Sequence, residues 1–211
     1  MRLIARLTLF IILFVNTSYK VAAPSVATDF RSFLTKFKTL QLPLTITIDL
    51  KKCVRFTKSD NQFVKSAYPN ETYSYGILPD TTDSYKLIWL EPSETQMPYL
   101  GTFTKSGKFI EKVFLPVGQC GSGCGFLCNE FTRINKDLSF VSVDSITTCK
   151  CDINGPIEGT SEKYVLIKSG RVAKDGQITI GELYKKAIEK NSLTNFLVRL
   201  FHLFYLNFPF N

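Results

Sequence analysis

Hydrophobic and polar positions change their period several times along this chain, and each change marks an expected element. Arg2 and Arg6 precede an unbroken apolar run from Leu7 to Val15, followed by polar and then small residues up to Ala27. That order predicts a secretory signal peptide over residues 1–23, with cleavage as late as residue 27. The run is nine residues long, whereas a membrane-spanning helix needs about twenty. Next, Phe30, Phe33, Leu34, Phe37 and Leu40 recur at helical spacing behind Thr28 and Asp29, either of which can cap an amphipathic helix. After Pro43 the period falls to two: Leu44, Ile46, Ile48 and Leu50 alternate with polar residues and predict a half-buried strand.

Residues 57–84 are polar and rich in turn formers, so they read as loop with one short strand. Strands are then expected at Tyr85–Leu90, Tyr99–Thr104, Phe109–Leu115, Leu138–Val143, Ser145–Cys151, Tyr164–Lys168 and Gln177–Ile180. Lys105-Ser106-Gly107-Lys108 supplies one hairpin turn, and Lys168-Ser169-Gly170-Arg171, with the same chemistry, a second. A short helix is expected over Glu182–Glu189, with Leu183 and Ala187 turned inward. The fold class that follows is mainly β: an antiparallel meander forming a sandwich or barrel, with an N-terminal amphipathic helix and a C-terminal apolar helix. Three regions result: the signal peptide, a single β-rich domain over 28–191, and an apolar tail over 192–211.

The tail crowds Leu193, Phe196, Leu197, Leu200, Phe201 and Phe204 into one span. A helix over 193–206 would be about 21 Å long, too short to cross a bilayer of ~30 Å. Docking onto the domain is the expected arrangement, because the polar stripe of Asn195, Arg199 and His202 lacks the many cations of an interfacial anchor. The alternative is peripheral membrane contact through the same apolar residues.

Composition and charge narrow the partners. The formal charge of +8 falls by three, to +5, when Arg2, Arg6 and Lys20 leave with residues 1–23. The remaining cations are dispersed among carboxylates, which argues against a nucleic-acid surface. Eighteen Phe and nine Tyr are the material of a packed core and argue against disorder.

The sulfur pattern carries the most information. Cys53 stands apart, and Cys120, Cys124, Cys128, Cys149 and Cys151 all fall between Gly118 and Asp152. Glycines interleave the first three and turn that stretch into a loop, and Cys149 and Cys151 share one side of an extended segment. In an oxidising compartment an even count of cysteines reads as disulfides. The expectation is a stapled loop with two bridges to Cys149 and Cys151, Cys53 taking the third loop sulfur or staying free. A thiolate metal site is the alternative, but the spacing lacks the Cys-x₂-Cys knuckles of zinc ribbons. No cofactor is expected. Gly118-Gln119-Cys120-Gly121-Ser122 looks like the segment around a papain-like nucleophile, yet Gly123 is inserted, Gly125 replaces the expected aromatic, and the only His in the chain is His202. Carboxylate catalysis stays open, with Asp49, Glu91, Glu111, Asp144 and Glu158 as candidates and no pair singled out. Asn70-Glu71-Thr72 fits an N-glycosylation acceptor.

Phe30…Phe37-Lys38-Thr39-Leu40-Gln41-Leu42-Pro43 and Phe114-Leu115-Pro116…Cys120-Gly121…Ile134-Asn135-Lys136-Asp137-Leu138 resemble uncharacterised exported proteins of Bacteroidota-type bacteria, over the middle two-thirds of the chain. The resemblance implies an envelope setting, in the periplasm, on the outer surface or beyond it, and carries over no functional residue. The function expected is a non-enzymatic binding or structural domain, the alternative a carboxylate-based hydrolase acting on a carbohydrate or envelope polymer.

Overall fold

A computed structural model describes residues 26–118 and 120–188, so the expected signal peptide over residues 1–23 and the expected apolar tail lie outside the described residues. The chain forms a helix α1 (Val26–Leu34), strands β1 (Leu44–Thr45) and β2 (Val54–Arg55), a helical turn α2 (Asn61–Val64), and then β3 (Tyr73–Ile77), β4 (Ser84–Pro92), β5 (Gln96–Thr104) and β6 (Phe109–Phe114). There follow β7 (Ser122–Gly123), β8 (Phe126–Ile134), β9 (Ser139–Thr148), β10 (Cys151–Asp152), β11 (Gly155–Pro156), β12 (Glu162–Val172), β13 (Ile178–Ile180) and β14 (Tyr184–Ala187). All named strand pairs are antiparallel.

Strands β2 to β6 form a meander in sequence order, called sheet A here. Sheet B has the order β1-β8-β9-β12-β13, with β14 continuing along the same edge of β12 and β7 folded back on β8. The two sheets share one apolar cluster: Ile88, Leu90 and Leu100 of sheet A meet Ile134, Phe140, Val172 and Ile178 of sheet B, with Leu40, Leu78 and Leu115 between them. The opposite face of sheet A is closed by the helical segment. Phe30, Phe33, Phe37, Phe56 and Phe63 pack on Leu87, Trp89 and Phe103, with the Phe30 and Phe63 rings edge to face at 5.3 Å and those of Phe33 and Phe63 stacked at 4.8 Å. Leu87, Ile88, Trp89 and Leu90 are all 0% exposed, although they alternate between the two faces. This explains why β4 reads as a continuous apolar run.

Several expectations change in the structure. Of the expected strand, Leu44–Thr45 pairs with β8 and Ile46 N–H adds one more bond to Thr132 O at 2.9 Å, but the pairing goes no further, because Ile48 and Leu50 are left 43% and 40% exposed with no core to face. Residues 138–151, read as two strands, are mostly the single strand β9. Lys168–Arg171 is no turn: it lies inside β12, where Gly170 is required because a Cβ would meet the Phe140 ring at 2.4 Å and the Thr179 carbonyl at 2.7 Å. The expected helix over Glu182–Glu189 is corrected as well, since Tyr184–Ala187 pairs with Tyr164–Ile167. That pairing satisfies the open edge of β12, a gain that local helix propensity cannot match. Strand β8 has no counterpart among the expected strands.

Candidate functional site

The crossover from β6 to β7 carries the chain from sheet A to sheet B, and polar side chains converge beneath it. The even-numbered residues of β9 face sheet A, so Ser142 and Asp144 point inward beside Phe140. Glu130 stands directly opposite Asp144 on β8, and Lys168 stands opposite Ser142 on β12. Each of these groups binds crossover backbone. Lys168 Nζ donates to the carbonyls of Phe114 and, at 3.0 Å, Pro116, and Ser142 Oγ donates to Leu115 O at 2.6 Å. The Asp144 carboxylate accepts from the Gly118 N–H, and that of Glu130 from the Cys120 N–H.

Burial dominates the electrostatics here. Asp144 is 3% exposed, and desolvation holds its carboxyl above the usual aspartate range against the opposing pull of Gly118 and Lys168. Glu130 keeps an exposed surface, yet desolvation first and the Asp144 charge second raise it too. Burial lowers Lys168 despite the neighbouring Asp144. Among the described residues Asp144 Oδ1 has no hydrogen-bond partner.

The sulfurs sit at the same end. Cys120 and Cys128 are disulfide-bonded, with Cα atoms 5.1 Å apart. They close a small hairpin in which Ser122 pairs with Leu127 and Gly123 with Phe126. Cys124 lies at its tip and is bonded to Cys151 of β10, Cα to Cα 6.2 Å. Gly125 turns the tip at φ +73°, where any Cβ would strike the Cys149 carbonyl at 2.2 Å. One expected link from the loop to the Cys-x-Cys pair is therefore formed and the other is not: Cys120 pairs within the loop, and Cys149 and Cys53 are free thiols. Cys53 packs beside the core that joins the sheets, and burial raises its thiol above the ordinary range.

Beyond the staple, β10 and β11 form a short hairpin that projects Ile153, 100% exposed. Cys151 is thus the point at which this hairpin is tied back to the body of sheet B.

The other candidate acids do not converge. Asp49 pairs with Lys52 at 3.1 Å. Glu91 is held by Trp89 Nε1 and Lys112 Nζ, each at 2.7 Å. Glu111 accepts from the Ile178 N–H at 2.7 Å, and Glu158 lies in an exposed loop. Asp144 finds a partner in Glu130, a residue the sequence reading did not name. Only the register of β8 against β9 reveals that pair, and the cysteines and glycines that precede β8 hide the strand. His202 lies outside the described residues. No family model, no curated protein and no solved structure matches this chain.

Proposed function

We propose that this chain is an exported, non-enzymatic binding domain of the cell envelope or extracellular space, and that the hairpin carrying Ile153 is its contact point. One observation carries the reading: Lys168, Ser142 and one oxygen of Asp144 hold the protein's own crossover backbone, while a fully exposed isoleucine is held out on a hairpin stapled at its base. A contact residue on a constrained hairpin loses little conformational entropy when it binds. Two disulfides fit an oxidising compartment. Among the described residues no helix is long and apolar enough to cross a membrane.

The hydrolase alternative meets a geometric obstacle. Glu130 and Asp144 do face each other, but a glycosidase pair must flank a substrate. Asp144 is covered by the crossover at 3% exposure.

Photo-crosslinking tests the proposal. A benzophenone amino acid at position 153, in cells exporting the protein, should yield a discrete adduct. The same probe at Leu183, which is 61% exposed, should not. Equal labelling from both positions, or none from 153, would refute it. Polysaccharide hydrolysis abolished by Glu130→Gln would favour the alternative instead.

A further inference from the structure

The sulfurs of Cys120 and Cys128 and a carboxylate oxygen of Asp144 all lie within 4.8 Å of one another. We propose that reduction of the Cys120–Cys128 bond converts this cluster, with Glu130, into a site for a zinc-class divalent cation. The inference rests on the disulfide pairing and on the strand register, and is independent of the binding role proposed above.

Size is the first argument. Zinc binds thiolate at about 2.3 Å and carboxylate at about 2.0–2.2 Å, so ligands of one ion are never more than about 4.6 Å apart. The three side chains already occupy nearly that volume. Their supports are firm, because Cys128 and Glu130 project from one face of β8 and Asp144 faces Glu130 from β9. Cys120 alone comes from the loop, and its backbone is tied to Glu130.

The unpartnered oxygen is the second argument, and it is independent of the sulfurs. Asp144 is 3% exposed, and its Oδ1 has no hydrogen-bond partner among the described residues. An unsatisfied buried acceptor costs about 1–3 kcal/mol, and coordination would satisfy it. Charge gives the third argument. An external dithiol supplies two electrons and two protons, is itself oxidised to a disulfide, and leaves two thiols where the S–S bond was. Metal binding then releases the thiol protons to solvent. Two thiolates and two carboxylates would face, among the described residues, the ammonium of Lys168 as the cation acting on Asp144, and it is already committed to the carbonyls of Phe114 and Pro116. A dication offsets most of that excess negative charge. In the oxidised chain the two sulfurs are spent on each other, so cystine and metal exclude one another.

Cobalt(II), as a spectroscopic stand-in, tests this on the purified chain after reduction with a phosphine and removal of the reductant. The expected result is one tetrahedral cobalt per chain with charge-transfer absorption for two thiolates, displaced by zinc and undetectable before reduction. The signal should survive Cys124→Ser with Cys151→Ser, vanish with Cys120→Ser with Cys128→Ser, and weaken at least tenfold in apparent affinity with Asp144→Asn. Glu130→Gln should also weaken it, and carries the test should Asp144→Asn fail to fold. A four-thiolate spectrum, no stoichiometric cobalt, or full affinity in both carboxyl variants would overturn the proposal.

Discussion

Sheet A and the cystine end of sheet B solve the same problem in opposite ways. Sheet A buries apolar side chains on both faces: Leu87 and Trp89 lie under the phenylalanines of the helical segment, Ile88 and Leu90 against sheet B. Every ring there has several neighbours, and order follows from burying area. At the cystine end β7, β10 and β11 are two-residue strands, and most of their residues are exposed. Strands that short cannot hold themselves together. Two disulfides and a set of side chains reading backbone take the place of a core. The contrast shows that this chain crosslinks where its layers are too thin to bury anything.

Loss of a ring from the thick region should have the largest effect. Phe33 is 1% exposed and meets Phe30, Phe37, Phe56 and Phe63. Phe33→Ala should therefore cost about 3–5 kcal/mol, measured by urea unfolding of the oxidised protein, and the loss should be the same after reduction. A loss that shrinks on reduction would break the comparison, because it would couple the two regions.

Removing the longer staple comes second. Cys124 and Cys151 are 27 residues apart, and opening a loop of that size should cost about 3.5 kcal/mol by chain entropy. Cys124→Ser with Cys151→Ser should leave Trp89 fluorescence native while amides of β10 and β11 lose exchange protection. Simultaneous loss of both signals would show that the staple holds the whole domain.

How much of this was legible in the sequence follows the same division. The hairpin of β5 and β6, the strand Tyr85–Leu90 within β4 and the stripe of Phe30 and Phe33 are local patterns, and local patterns survive in the fold. The disulfide framework was legible as a cluster but not as a pairing. Cys120 meets Cys128 because β7 folds back on β8, and both strands lie in a glycine-interleaved stretch that reads as loop. Tyr184–Ala187 was misread for a related reason: its partner is the distant edge of β12, a tertiary demand with no local signature. Glu130 and Asp144 were hidden by both effects.

Gly170 sharpens the comparison from the core side. Gly170→Ala would drive a methyl against the Phe140 ring and the Thr179 carbonyl, and the carbonyl, being backbone in β13, cannot swing aside. The expected cost is about 1–3 kcal/mol, read in the same urea titration. Phe140→Leu combined with it should recover only part, since the contact with Thr179 remains.

Asp144 should have the smallest effect and the most specific signature. Its folded carboxyl holds the proton more tightly than the unfolded one, because burial outweighs the Gly118 hydrogen bond and the Lys168 charge. Below the ordinary aspartate value both states are protonated and nothing is lost. As pH rises above it, the unfolded chain releases a proton that the fold retains, so stability falls until the folded group also ionises. Glu130 is raised in the same sense and faces Asp144 from β8, whereas Lys168, lowered by burial, stands diagonally across from it on β12 and acts in the alkaline range. Asp60 and Asp137 are lowered and act oppositely, losing stability as pH falls. The difference between wild type and Asp144→Asn isolates one group. Asn keeps the shape and an acceptor for the Gly118 N–H, so the two proteins should be equally stable in acid. Towards neutral pH the variant should become more stable, by on the order of 1 kcal/mol. Urea midpoints across that range provide the measurement. A variant less stable at neutral pH would mean that the Asp144 charge, held by Lys168 and the crossover backbone, stabilises the thin end of the molecule after all.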